Sequence, residues 1–202
     1  MIIEQSKLPP SWKIKNLEDV AEIIMGQSPP SDTYNTEGNG LPFFQGKTEF
    51  GEMYPIATKY CAKPKKIARK NDILLSVRAP VGPVNIADTD CCIGRGLAAI
   101  RANEELLNYK FLYLYMKAIE VEISGKGRGS TFGAIRGKVV RAIQIPLPPI
   151  SIQDKLVKKL DSFFDDYNKI KKEQKDIENI INALPISVLN KAFKGEFSHT
   201  GV

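Results

Sequence analysis

The chain has 202 residues, 43% of them hydrophobic, with a formal net charge of +6 and a single histidine. That length holds one ordinary domain with an appendage, and its longest apolar runs fall well short of the ~18–20 residues of a membrane span. The opening Met1-Ile2-Ile3-Glu4 is unlike a signal peptide, and three cysteines, two of them adjacent (Cys91-Cys92), suit a reducing, cytoplasmic chain better than a disulfide framework.

Leu8-Pro9-Pro10-Ser11-Trp12 reads as an extended lead-in, because each proline biases its predecessor away from helix. Trp12, Ile14 and Leu17 form a short strand that anchors the core, and Asn16 caps a turn of helix over 18–21, with Asp19 in the capping-box position. Ile23-Ile24-Met25 is a strand that stops at Gly26. Residues 26–35 form a polar loop without helical or strand period, of a length that often carries function. Leu41 to Lys47 joins two aromatics to an amide and a base, a mix suited to stacking on and hydrogen-bonding bases. Alternation along a strand puts Phe43 and Phe44 on opposite faces, one of them in the core.

The segment Lys63-Pro64-Lys65-Lys66 leads to a turn at Asn71-Asp72 and then to a buried strand, Ile73 to Val77, whose end presents Arg78. Strands follow at 84–87, 91–93 and 97–100, making a mixed sheet with short connections. Gly94-Arg95-Gly96 lies between the last two, its glycines allowing close backbone approach to a ligand while Arg95 projects. Asn103 caps a helix running to about Ile123, with Leu107, Phe111, Leu114, Tyr115 and Ile119 as its core face. Gly125 to Gly133 alternates glycines with Lys126, Arg128, Ser130 and Thr131, a flexible anion cradle that lacks the Gly-Lys-Ser/Thr of a Walker A loop. Residues 139–146 return as a strand, and Pro146-Leu147-Pro148-Pro149 makes a stiff exit.

Beyond this exit, Leu156, Leu160, Phe163, Tyr167, Ile170, Gln174, Ile177, Ile181 and Leu184 recur with gaps of four and three. This is the 3.5-residue repeat of a helix that packs along a partner helix. Over 152–184 seven lysines balance seven acids, and a helix of that span is roughly 50 Å long. Pro185 breaks or kinks it, and a last amphipathic turn ends at Gly195.

Charge is uneven. Residues 1–151 hold 20 basic and 15 acidic side chains; 59–101 holds nine against three, and 126–141 five against none. Clustered positive charge of this kind suits a polyanion, nucleic acid first. Catalytic sets are missing. The only histidine is His199, so no Ser/His/Asp or Cys/His constellation and no transition-metal site is expected inside the domain. There is no Asn/Asp-Pro-Pro-Tyr/Phe of an amino-methyltransferase, no glycine-rich cofactor loop and no nuclease carboxylate–lysine pattern, so no cofactor is expected. A non-catalytic binding module is the expectation. A basic adaptor head on a dimerising stalk, without sequence-specific DNA contact, is the alternative.

One family shares the order of these features. Leu8-Pro9-Pro10-Ser11-Trp12, Leu17-Glu18-Asp19-Val20-Ala21-Glu22-Ile23-Ile24 with Gly26, Asp72-Ile73-Leu74-Leu75-Ser76, Gly129-Ser130-Thr131-Phe132, Ile143 to Ile150 with Gln153, and Leu189 to Gly195 resemble one half of the specificity subunit of a type I restriction-modification enzyme. The resemblance implies an α+β fold: a globular mixed-sheet target recognition domain over 1–149 that reads a few base pairs. Over 150–202 it implies a long coiled-coil-forming helix, with a short helical segment after it, that spaces and docks methyltransferase and restriction subunits. A full subunit of the family has two recognition domains and two such helices, whereas this chain has one of each. An antiparallel homodimer would bury the seam and read a bipartite, inverted-repeat site; a missing second half of the same chain would also supply the partner helix. The expected DNA-contacting residues are Gln27, Ser28, Ser31, Tyr34, Phe44, Gln45, Lys47, Lys63, Lys65, Arg78, Arg95, Lys126, Arg128, Ser130 and Thr131.

Overall fold

Strand β1 (Lys13–Asn16) runs antiparallel to β11 (Gln144–Leu147), which ties the two ends of the globular part together, with Lys13 opposite Leu147 and Asn16 opposite Gln144. The computed structural model describes residues 6, 8–127 and 133–195, without the side chains of 126 and 127. The chain separates into two compact units, Met1–Leu156 and Val157–Val202.

In the first unit the strands fall into three sheets instead of one. Beside the β1–β11 pair lies a four-stranded antiparallel sheet in the order β2 (Ala21–Met25), β10 (Leu97–Ala102), β7 (Ile73–Ser76), β8 (Val84–Ile86). A five-stranded sheet has the order β3 (Tyr34–Asn35), β5 (Tyr60–Cys61), β4 (Leu41–Phe44), β9 (Cys91–Ile93), β6 (Ile67–Ala68). Among the described residues only β4 and β9 pair in parallel. The polar loop expected at 26–35 therefore ends in a 3-10 turn, Ser31–Thr33, and a strand.

Burial explains this layering. Every residue of β7 is buried, as a continuous apolar run covered on both faces should be. Phe44 faces a core of Leu74, Ile93, Leu97 and Ala99, and Phe43 packs with Cys61 and Cys92. Both faces of β4 are thus covered, and neither phenylalanine is at the surface. Leu17 is buried at the foot of a 3-10 turn, Leu17–Asp19, where Asn16 N–H donates to Asp19 Oδ2 at 3.1 Å. The turn stops before Ala21 because that residue already pairs with Ala102 in β2.

The expected helix from Asn103 is displaced. Asn103 instead closes a turn, its carbonyl accepting from Leu106 and Leu107 N–H at 2.9 and 2.8 Å. Asn108 caps α1 (Tyr109–Ala118), its side chain accepting from Lys110 and Phe111 N–H. A separate helix α2 (Glu120–Gly127) follows. The buried face is Phe111, Leu112, Tyr113 and Met116, so Leu114 and Tyr115 lie toward its edge. The strand expected over 139–146 is also corrected: Gly137–Arg141 is a short helix α3, which buries Val140, and only 144–147 is extended.

Two polar clusters sit in this core. Asp72, 2% exposed, takes Arg101 in a two-pronged pair at 3.1 and 2.9 Å and accepts Arg69 N–H at 2.8 Å. Burial nevertheless holds its carboxyl above the usual value, with Arg101 pulling the other way. Gln153, fully buried, donates from Nε2 to the carbonyls of Leu106 and Pro148 at 2.8 and 2.9 Å and accepts from Asn108 N–H at 2.8 Å.

Helix α4 (Ile150–Phe193) has 44 residues, and its first turns belong to the first unit. Pro185 lies inside it and does not end it. Proline removes one main-chain bond, and here the surrounding positions are exposed, so the freed carbonyl is open to water. The helix closes at Gly195, whose φ of 75° suits a residue without Cβ.

Candidate nucleic-acid interface

Three glycines bring four chain segments to one edge of the first unit. Gly26 N–H donates to Leu97 O at 2.9 Å, Gln27 N–H to Ile93 O at 3.0 Å, Gly94 N–H to Phe44 O at 2.8 Å and Val77 N–H to Gly96 O at 2.9 Å. A Cβ on Gly26 would stand 2.1 Å from Gly94 O, and one on Gly96 would stand 2.1 Å from Gln45 O. The close approach expected of Gly94 and Gly96 is therefore made to protein backbone, not to a ligand. Its consequence is positional. The residues beside the glycines, Gln27, Gln45 and Arg95, are exposed, and Ser28 Oγ accepts from Arg95 N–H at 3.3 Å.

Arg78 reaches the same edge from β7. Ser76 Oγ lies 3.1 Å from Arg78 O and 2.8 Å from Pro80 O, pinning the turn that follows, which includes a cis Ala79–Pro80 peptide. From the other side, Ile135 N–H donates to Val77 O at 2.9 Å, and Ala134 bridges Arg78. Arg78 and Arg95 line two adjoining clefts. The first, of about 550 Å³, also takes Ser28, Gln45, Lys47 and Glu49. The second, of about 680 Å³, adds Arg136, Met25 and Ile135. Among the described residues, four cations and one carboxylate thus line the pair. Arginine forks offer paired donors to guanine O6/N7 or to phosphate oxygens, and the amide of Gln45 offers both a donor and an acceptor.

Of the expected contact residues, Ser28, Gln45, Lys47, Arg78 and Arg95 meet here. Gln27 is exposed beside them, and Ser31 is exposed on its 3-10 turn. Lys63 and Lys65 are exposed between β5 and β6 but line neither cleft. Tyr34 is half-buried, its ring 4.6 Å from that of Phe43 and its hydroxyl donating to Pro29 O at 2.7 Å. Phe44, 1% exposed and packed in the core with Leu74 and Ile93, offers no face to a base, contrary to the expected contact. The side chain of Lys126, and Arg128, Ser130 and Thr131 entirely, lie outside the described residues. Sequence reasoning missed Arg136 and Glu49. Arg136 belongs to the basic 126–141 segment, and the signal for Glu49 is its place three residues after Gly46, whose N–H it accepts.

The second unit offers a different surface. Phe163 is 62% and Leu184 51% exposed, and Leu160, Tyr167, Ile170, Ile177 and Ile181 are exposed with them. Leu156, at the end of the first unit, is half-buried, and Gln174 is exposed. Phe164 and Ile180 are exposed too, so the apolar stripe is broader than one residue per turn. Among the described residues no group of three His, Cys, Asp or Glu is placed to hold a metal, and no helix is long and apolar enough to cross a membrane.

Comparison with known proteins agrees on one family. The model for the type I restriction modification DNA specificity domain matches residues 9–179. A Methanocaldococcus jannaschii protein provisionally named the type I restriction enzyme MjaX specificity subunit is 46% identical over 175 residues, covering 86% of this chain and 41% of the relative. The type I restriction enzyme MjaIX specificity subunit of the same organism is 29% identical over 186 residues, covering 85% and 42%. Among solved structures, a type I R-M system studied for complex assembly and conformational transition superposes with a TM-score of 0.84 at 46% identity, covering 94% of this chain and 47% of that one. The HsdS subunit from Thermoanaerobacter tengcongensis superposes with a TM-score of 0.80 at 44% identity, covering 95% and 47%. The chain spans less than half the length of these relatives.

Proposed function

The chain belongs to the type I restriction-modification DNA specificity family, and on that premise we propose that it is a DNA-recognition subunit without catalytic chemistry of its own. Residues 1–149 act as a target recognition domain that reads a half-site. Residues 150–202 act as a spacer that docks methyltransferase subunits and, through them, restriction subunits. The observation that carries this reading is the meeting of Arg78 and Arg95 at the glycine node, between two clefts lined also by Lys47, Gln45 and Arg136. Arginine and glutamine held by backbone packing suit base edges, whereas exposed lysines away from the clefts suit phosphates, which set register but carry little sequence information.

The exposed seam of α4 supports a second part of the proposal, an antiparallel homodimer through this helix that reads an inverted-repeat, bipartite site.

The test is a binding comparison on selected and random duplexes, made with the full chain and its methyltransferase partners. Arg95→Ala is expected to relax sequence preference by about 1–3 kcal/mol at one position. Lys126→Ala is expected to weaken binding to all sequences alike and to lower the salt slope. Equal losses on selected and random DNA for both variants would refute the division of labour.

A further inference from the structure

Among the described residues Glu49 is the only acidic side chain lining either cleft, and it faces the same cleft as Lys47, Arg78 and Arg95. No ion pair joins it to a cation among the described residues. Its placement is fixed from the backbone: Gly46 N–H donates to Oε2 at 3.0 Å, Ile56 N–H donates to Glu49 O at 2.7 Å, and Phe50 N–H closes the turn on Lys47 O at 2.9 Å. A carboxylate pre-positioned in a basic cleft is repelled by phosphate, so among the parts of a duplex it can meet only hydrogen-bond donors favourably.

In the major groove those donors are the N4 amine of cytosine and the N6 amine of adenine. Adenine sets its N7 acceptor beside N6, against a carboxylate that has no proton to give. Cytosine presents N4 without an acceptor of its own beside it, and one free carboxylate oxygen is enough to take that bond. Guanine and thymine offer oxygen acceptors at the same depth and are disfavoured by charge. The arginines across the cleft complement this choice, since a guanidinium suits the O6/N7 edge of the guanine paired to such a cytosine or next to it. From this geometry we propose that Glu49 is a specificity-determining residue that selects cytosine at one position of the half-site by accepting a hydrogen bond from its N4 amine. The proposal rests on the reading of the clefts as a DNA interface.

Glu49→Gln separates base selection from turn capping. Glutamine keeps an oxygen that can accept from Gly46 N–H, and it replaces a pure acceptor by an amide that matches adenine N6/N7. The full chain with its methyltransferase subunits is used to select sequences from a randomised duplex pool, beside Glu49→Gln and Arg95→Ala. The expected result is an unchanged melting temperature for Glu49→Gln, a loss of the cytosine preference at one position by about tenfold, and a shift toward adenine there. Recovery of the wild-type sequences by Glu49→Gln would overturn the assignment, and so would a uniform gain of affinity for every duplex, the mark of charge removal alone. If Arg95→Ala changes the selected sequences and Glu49→Gln does not, only the Glu49 assignment falls. If the wild-type chain itself selects nothing, the DNA-reading function falls and this inference falls with it.

Discussion

At the scale of single residues, the fold resolves its costs by pairing and by covering. Asp72 is the sharpest case, a buried carboxyl facing Arg101, with Glu22 adding a second anion at 2.8 Å from the same guanidinium. Burial raises its pKa more than Arg101 lowers it. A carboxyl whose folded value lies above its unfolded one favours the native state while protonated. That contribution is complete below about pH 4 and is lost as pH rises through the folded value. The unfolding free energy of the wild type minus that of Asp72→Asn should therefore fall as pH is raised from about 4 toward neutrality. Denaturant titrations at closely spaced pH would measure it, and a difference that rises across this window would mean that the attraction of Arg101 outweighs burial. Cysteines follow the same logic: burial pushes the Cys92 thiol up to about 12 and raises that of Cys91, which disfavours the reactive thiolate of both in the folded chain. Such residues are hard to read from a sequence, because Asp72 looks like an ordinary turn aspartate until the distance to Arg101 is known.

At the scale of elements, legibility depended on whether the deciding contact was local. Strands β7, β9 and β10 were readable because their apolar runs are bounded by turns, and the long helix because its stripe repeats over many turns. The start of α1 was not readable. Asn103 and Asn108 both precede apolar positions, and the choice falls to Asn108 because its N–H and side chain meet Gln153 and Asp154, more than 40 residues away. Residues 139–146 misled for a similar reason: Val139-Val140 favours strand by local propensity, but packing buries Val140 on a short helix. The glycine node was half legible. Gly94 and Gly96 were marked for close approach, but that they approach Gln45, and that Gly26 packs on the same turn, is a tertiary fact. The Gln153 clasp gives a direct test at this scale. Gln153→Ala removes three hydrogen bonds, one buried and two part-buried, and leaves their partners unsatisfied, so a loss of roughly 2–4 kcal/mol is expected. Asp154→Ala, which loses one exposed bond to Asn108, should cost less than about 1 kcal/mol. Urea unfolding monitored by Trp12 fluorescence distinguishes them, and equal costs would show that the clasp does not hold the start of α4.

At the scale of the whole molecule, the question is what covers α4. A stripe that includes Phe163, Tyr167, Ile170, Ile177, Ile181 and Leu184 is larger than scattered surface hydrophobics, and helices with this repeat become stable by pairing. The homodimer reading supplies an identical stripe, and it makes apparent stability depend on protein concentration, since dissociation and unfolding are then linked. Gln174 sharpens the test because it alone interrupts the stripe with an amide. A polar residue at such a position costs stability and selects register, provided the partner strand offers it a hydrogen bond. Gln174→Leu is therefore expected to raise the melting temperature and slow dissociation while broadening the distribution of oligomers seen by light scattering. A variant that stays cleanly dimeric with unchanged stability would make the residue incidental, and a wild-type chain monomeric at micromolar concentration, alone and on DNA, would remove the homodimer itself.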